Sequence, residues 1–208
     1  MKPAPSSPSD RATALRTGTR LEYFSLTWNV LEFGVGLAAG IAASSVALIG
    51  FALDSIAEAS SAAILLWRLN AERRGSVVEE VEHHAIRLVG AAFFVLAAYI
   101  GVRAVLDLYN DVRPEESTLG LVIAGVSLVV MPWLARRKRA AAAALESRAL
   151  EADALQTMLC TYLSAVLLVG LLANALLGWW WADPVAALLI AWIAVREGIE
   201  LWRVEHLH

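Results

Sequence analysis

Four side chains in two apolar stretches have the types and spacing of metal ligands. Asp54 and Glu58 lie four residues apart, so their carboxylates share one face of a helix about one turn apart. Gln156 and Cys160 have the same spacing in a later stretch. Two carboxylates on one helix, with an oxygen and a sulfur ligand on another, can form a four-coordinate site for a divalent cation. The spacing therefore predicts a divalent-metal site made by these four residues.

Three more polar residues in apolar stretches are candidates for supporting this site. Glu32 could be a further metal ligand, a proton carrier or a hydrogen-bonding partner of the ligands, and the sequence leaves these three roles open. Asn29 and Asp153 are candidates for proton coupling or for holding the ligands by hydrogen bonds. Because neighbouring carboxylates repel each other, at least one should carry a proton when no metal is bound. The arrangement therefore predicts exchange of metal for protons.

Structural roles for the same residues remain alternatives. A single cysteine such as Cys160 is commonly a small buried apolar residue. Asp54 and Glu58 could hydrogen-bond between helices without any metal, although two carboxylates are an expensive way to do so. Asp183 followed by Pro184 fits a helix N-cap with proline at the first helical position.

The elements that carry these residues are predicted to span a membrane. Apolar residues make up 59% of the 208 residues and charged residues only 18%. This composition excludes a disordered chain and a basic nucleic-acid-binding domain, and one cysteine excludes a disulfide scaffold. Six apolar stretches lie close to the roughly 20 residues that cross a bilayer, at about 23–43, 46–68, 86–108, 118–135, 154–177 and 183–203. We predict an all-α membrane protein of six transmembrane helices in a lipid bilayer.

The positions of Lys and Arg predict the orientation. Of the 17 basic residues, all but Arg103 and Arg113 fall in segments that six spans would place on one side, including the run 136–139. By the positive-inside rule both termini are cytoplasmic. Residues 1–20 are polar and rich in Pro and Ser, which predicts a flexible cytoplasmic tail before a transmembrane domain at 21–208. The Ala-rich segment 140–155 favours a cytosolic extension of the fifth helix.

Three segments resemble the cation diffusion facilitator family. SSVALIGFALDSIAEASSAAILLWRL is similar to the second span of that family, LEADALQTMLCTYLSAVLL to the fifth and WADPVAALLIAWIAVREGIELW to the sixth. The resemblance covers about residues 22–203 with the spans in the expected order. It implies a homodimeric secondary transporter that exports divalent metals, most often zinc, in exchange for protons. The metal site of such proteins lies between the second and fifth spans.

The resemblance assigns metal binding to Asp54 and Glu58 on the second span and to Gln156 and Cys160 on the fifth. The family usually has histidine or aspartate followed by aspartate at the last two positions. Gln156 is a weaker, neutral ligand and Cys160 a softer one, so the identity of the metal is open. Glu32 could restore the missing carboxylate from the first span.

We therefore expect a proton-coupled divalent-cation exporter, not an enzyme, with zinc as the first candidate and cadmium or iron as others. It should be a multi-pass protein of the plasma membrane, such as a bacterial inner membrane. A homodimer through the membrane helices and no nucleic-acid partner are expected. The chain resembles a short subgroup without the cytosolic domain that follows the sixth span. Two alternatives are a non-transporting metal-binding partner or regulator of another transporter, and a carrier of another solute that uses the acidic pair only for protons.

Overall fold

The computed structural model describes residues 8–73, 94–95 and 97–205, and all regular secondary structure in these ranges is α-helical. The helices are α1 (Pro8–Ala43), α2 (Val46–Arg73), α3 (94–95 and 97–109), α4 (Thr118–Leu145), α5 (Arg148–Leu177) and α6 (Ala182–Glu205). They follow the order of the six predicted apolar stretches. The all-α fold is confirmed.

Four of these helices are long and apolar enough to cross a membrane, within Arg11–Ala43, Val46–Asn70, Thr118–Leu145 and Ala149–Leu177. The described part of α3 and the whole of α6 occupy the positions of the other two predicted spans. Residues 86–93 of the predicted third span lie outside the described residues. The helix count therefore fits a six-helix transmembrane domain, and the orientation stays a prediction.

A tight turn joins α1 to α2, as expected from the two residues that separate the predicted spans 23–43 and 46–68. Ser44 adopts a left-handed backbone conformation (φ 53°), and the Ser45 amide donates to the Gly40 carbonyl at 3.0 Å. A Cβ placed on Gly40 would lie 2.8 Å from Cγ1 of Ile49, so glycine is needed for the two helices to approach this closely. The hairpin holds α1 against the helix that carries Asp54 and Glu58.

Asp183 connects the start of α6 to the start of α2. The Ser45 hydroxyl donates to one of its carboxylate oxygens, and the Ala47 amide donates to the other at 3.3 Å. The Ser45 hydroxyl also accepts from the Leu48 amide at 3.1 Å and so caps α2. Asp183 therefore has a structural role, but at the N-terminus of α2, where a carboxylate complements the helix dipole.

The helices α1, α2, α4 and α5 form the group that positions the candidate site. α1 packs mainly on α2, α4 packs mainly on α5, and contacts of α1 with α4 and of α2 with α5 close the group. α6 packs on α2 and α5. α3 contacts two of these helices, because Ile100 lies against Gly50 of α2 and Phe94 against Gly198 of α6.

The N-terminal segment differs from the prediction of a flexible tail. Helix α1 begins at Pro8, and residues 1–7 lie outside the described part of the chain. Ala14 and Thr19 are buried, and Gly18 lies beside apolar side chains of three other helices: Leu69, Leu145 and Leu150. Packing against these leucines stabilises the helix in a segment whose polar composition predicts a flexible tail. Composition alone does not reveal that these partners exist.

The Ala-rich segment is also divided differently from the prediction. Residues 140–145 complete α4 and do not extend the fifth helix. Glu146 then takes a left-handed conformation (φ 53°), and the Ser147 side chain accepts from the Leu150 amide to cap α5. The serine cap sets the break between the helices, because alanine favours a helix on either side of it.

Candidate metal centre

A stripe of buried polar side chains runs along α1 and faces the other three helices of the group. Glu22, Ser25, Asn29 and Glu32 recur at intervals of three or four residues, which places them on one helix face. None is more than 1% exposed. Ten residues separate the ends of the stripe, or about 15 Å along the helix. Polar groups at this depth are costly, so a stripe of them indicates a functional role.

At its C-terminal end, the stripe meets a group of three carboxylates and one thiol. We name this group the carboxylate–thiol cluster: Glu32, Asp54, Glu58 and Cys160. Their exposed fractions are 0%, 7%, 3% and 1%. The Cys160 thiol interacts electrostatically with all three carboxylates. The carboxylate of Glu58 likewise interacts with those of Asp54 and Glu32. The structure therefore brings together four of the five predicted ligands from α1, α2 and α5.

Several oxygens of this cluster accept no hydrogen bond from the described residues. The Ser55 hydroxyl donates to Oε2 of Glu32 at 3.0 Å, and Trp28 and Ser127 also lie beside this carboxylate. Oε1 of Glu32 and both carboxylate oxygens of Glu58 have no hydrogen-bond partner among the described residues. A buried carboxylate without a partner is strongly unfavourable. A proton or a bound cation would satisfy these oxygens.

Gln156 is more exposed than the other predicted ligands. Its side chain is only partly buried, and its amide nitrogen has no hydrogen-bond partner among the residues that the structure describes. Helix geometry puts it one turn from Cys160 on the same face of α5. In the described ranges, no three His, Cys, Asp or Glu side chains converge tightly enough to enclose a metal ion. The ligands are thus neighbours in this conformation rather than a closed coordination shell.

Asp153 was predicted to support the metal ligands by hydrogen bonds or proton coupling, but in the structure it pairs with a lysine. It pairs with Lys138 of α4, whose ammonium also contacts Glu22 at 3.2 Å, Ser25 at 3.0 Å and Thr157 at 3.3 Å. Lys138 is 1% exposed. We name these five residues the ammonium cluster. One lysine thereby connects α4 with α1 and α5.

Helix α2 joins the same cluster through Ser61, whose hydroxyl donates to Oδ1 of Asp153 at 2.8 Å. Asn29 lies between the two clusters on the α1 stripe. Its amide donates to the Ser25 hydroxyl at 3.5 Å, and its Oδ1 has no hydrogen-bond partner within the described ranges. Asn29 therefore contacts the ammonium cluster through Ser25, and within the described ranges no hydrogen bond joins it to a predicted metal ligand.

Sequence reasoning missed Lys138 and Glu22. The run 136–139 entered the sequence analysis only as positive charge on one side of the membrane, but Lys138 is buried in the structure, whereas Arg136, Arg137 and Arg139 are exposed. A signal was present, because Lys138 falls on the helix face that buries Ser127, Met131, Leu134 and Leu145. Glu22 carries the same signal, because it shares a helix face with Asn29 and Glu32.

Residues 23–204 match the family model described as the cation efflux transmembrane domain. This chain belongs to the cation efflux family. It is a multi-pass membrane protein of a family of transporters rather than enzymes.

Three curated relatives are similar to the chain. It is 35% identical over 114 residues to the cation-efflux pump FieF of Shewanella oneidensis, which covers 55% of this chain and 36% of that protein. It is 28% identical over 179 residues to an uncharacterized transporter of Synechocystis, with coverage of 82% and 57%. It is 28% identical over 181 residues to transmembrane protein 163 of Xenopus laevis, with coverage of 82% and 63%. The chain thus spans less than two thirds of the length of each.

Proposed function

We propose that this protein exports divalent metal cations in exchange for protons, with the carboxylate–thiol cluster as its transport site. The observation that carries the proposal is the set of buried oxygens on Glu58 and Glu32 that lack hydrogen-bond partners among the described residues, next to the Cys160 thiol. Such a group needs protons or a cation, and a transporter that alternates between the two supplies each in turn. Membership of the cation efflux family supports the same conclusion.

The cluster can couple metal to protons by charge balance. With no metal bound, the close carboxylates of Asp54, Glu58 and Glu32 hold protons that offset their mutual repulsion. A divalent cation that binds these oxygens and the Cys160 sulfur displaces protons, because only deprotonated carboxylates and thiolates are good ligands. Alternating access then carries the metal in one direction and the protons in the other.

The ligand set supports zinc as the transported metal. Cys160 supplies a soft sulfur, which zinc and cadmium accept better than magnesium, calcium or manganese do. Glu32, Asp54 and Glu58 supply three hard oxygens, which together with the sulfur suit a tetrahedral zinc site. Iron is compatible with the oxygens and less well matched to a single thiolate.

We further propose, from the family resemblance and the charge distribution, a bacterial inner-membrane protein with both termini in the cytoplasm. The basic residues of 136–139 that are exposed, Arg136, Arg137 and Arg139, support this orientation. Large apolar side chains on the outer faces of the helices, such as Val129, Val169 and Leu176, suit contact with lipid or with a second copy. A homodimer through the membrane helices is part of the proposal.

Zinc uptake by proteoliposomes that contain only the purified protein tests the function. With a zinc indicator and a pH indicator inside, we expect zinc influx accompanied by proton efflux from the wild type. Glu58→Gln should reduce both to the background of empty liposomes. The matched control is Glu151→Gln, which changes the same chemistry at an exposed position of α5 and should keep wild-type flux. Zinc binding without flux in the wild type would favour a non-transporting partner.

A further inference from the structure

The ammonium cluster is not needed by the proposed transport chemistry, and its geometry is that of a cation site. Four oxygens surround Nζ of Lys138: one carboxylate oxygen each from Glu22 and Asp153, and the hydroxyls of Ser25 and Thr157. The two carboxylates are 0% and 5% exposed. The oxygens already hold a cation in this structure, and that cation belongs to the chain itself.

The two carboxylates of the cluster can carry more negative charge than one ammonium neutralises. Glu22 and Asp153 can carry two negative charges, whereas Lys138 carries one positive charge. Oε1 of Glu22 also has no hydrogen-bond partner among the described residues, although it is fully buried. Carboxylate and hydroxyl oxygens are hard ligands of the kind that bind magnesium, calcium and manganese. Without the lysine, these oxygens would make a site for a hard divalent cation.

The cluster lies next to the proposed transport site and on one side of it. Asp153 precedes Cys160 by seven residues on α5, or about 10 Å along the helix. Ser61, which donates to Asp153, follows Glu58 by three residues on α2. Glu58 also interacts electrostatically with both Lys138 and Asp153. The cluster is therefore displaced toward the end of α2 and the start of α5, which the charge distribution predicts to be the cytoplasmic side.

We propose that Glu22, Ser25, Asp153 and Thr157 form a second cation site, which Lys138 occupies as a tethered cation and leaves when a divalent cation passes to or from Glu58. The passage of the transported cation rests on the proposed function. The binding site itself does not, because its oxygens and their occupant are seen in the structure.

Manganese binding to the purified full-length chain tests the site separately from transport. All variants carry Glu58→Gln, which removes charge from the transport site, and Mn²⁺ binding is counted from the loss of the free-ion electron paramagnetic resonance signal. Adding Lys138→Met should create one further Mn²⁺ site per chain. Adding Asp153→Asn to that pair should remove the new site. The matched control is Arg139→Met, since Arg139 is exposed and should add none.

Two outcomes would overturn the second site. One is a folded Glu58→Gln/Lys138→Met protein that binds no more Mn²⁺ than Glu58→Gln alone. The other is an extra site that survives Asp153→Asn. If Lys138→Met does not fold, Lys138→Gln replaces it, because its amide can still donate to Asp153 without carrying charge. The same gain of one site is expected, and its absence contradicts the proposal in the same way.

Alkylation of Cys160 tests the other part of the proposal, that Lys138 blocks access to the transport site from the second cation site until it leaves. Cys160 is the single cysteine of the chain and is 1% exposed, so its alkylation reports access to the carboxylate–thiol cluster without further substitution. In inside-out vesicles, Lys138→Met should increase its reaction rate with a cationic, membrane-impermeant methanethiosulfonate, and Arg139→Met should not. Equal rates in wild type and Lys138→Met would contradict closure by Lys138. If the wild type shows no zinc flux but the Mn²⁺ site is confirmed, only the transport function is rejected.

Discussion

The carboxylate–thiol cluster and the ammonium cluster place acidic groups at similar depth of burial among the same helices, but they balance the charge differently. Asp153 and Glu22 share the ammonium of Lys138, which is 1% exposed. Glu58 has no hydrogen-bond partner among the described residues on either carboxylate oxygen. The ammonium cluster has a counter-ion of its own in Lys138 and can take another cation only when the lysine leaves, whereas the carboxylate–thiol cluster depends on protons or ions from solution. The carboxylate–thiol cluster is therefore the one that cargo can occupy without displacing a side chain of the protein.

The largest expected difference between the clusters is in stability. Lys138→Met leaves Glu22 and Asp153 buried without their cation, and breaking a buried ion pair from one side costs about 3–5 kcal/mol. Arg139→Met, an exposed neighbour in the same basic run, should stay within about 0.5 kcal/mol of the wild type. Reversible unfolding in mixed micelles measures both. Equal stability of the two variants would mean that Lys138 does not neutralise this cluster.

Metal selectivity is the next largest effect, and it should belong to the carboxylate–thiol cluster alone. Cys160→Ser replaces a soft sulfur by a hard oxygen, so cadmium affinity should fall about tenfold or more while manganese affinity changes little. Thr157→Ser, one turn earlier on α5 in the ammonium cluster, is the control and should leave the metal ranking unchanged. Competitive binding titrations measure the ranking. An unchanged cadmium affinity in Cys160→Ser would mean that Cys160 packs in the core and does not bind the metal.

Glu58→Gln should have a smaller effect on stability, and in the opposite direction to Lys138→Met. Neutralising one of several close carboxylates removes repulsion, so without metal the variant should be as stable as the wild type or more stable by about 1 kcal/mol. The same unfolding assay measures this difference. A loss comparable to that of Lys138→Met would show that Glu58 is held by an internal cation after all.

Gln156→Ala is expected to have the smallest effect. Gln156 is only partly buried and its amide nitrogen has no hydrogen-bond partner in the described ranges, so its removal should change zinc affinity by less than Cys160→Ser does. Zinc titration of both variants decides the order. A greater loss in Gln156→Ala would establish Gln156 as a ligand in the metal-bound conformation.

The sequence singles out the residues of one cluster and not those of the other, for a physical reason. Asp54, Glu58 and Cys160 stand out because polar groups inside apolar stretches are costly and therefore conspicuous. Lys138 and Glu22 lie in the charged flanks of their helices, where solvated residues are the usual expectation. Only the packing of α1 against α4 decides that these flanks are buried, and a single sequence does not give that packing.

The fold shows the same division. The hairpin at Ser44 and the order of the apolar stretches follow from local sequence, and both were predicted. The helical state of residues 8–20 depends on distant partners such as Leu145 and Leu150, and it was not. The helix boundary at Ser147 depends on one capping interaction within a run that favours a helix throughout.

X-ray absorption at the zinc edge of the zinc-loaded protein tests the central claim most directly, because it reports the atoms bound to the metal. We expect one sulfur neighbour at about 2.3 Å together with oxygen neighbours at about 2.0–2.2 Å. In Cys160→Ser the sulfur shell should disappear while the oxygens remain. A wild-type spectrum with no sulfur neighbour, or a sulfur shell that persists in Cys160→Ser, would contradict the assignment of zinc to the carboxylate–thiol cluster.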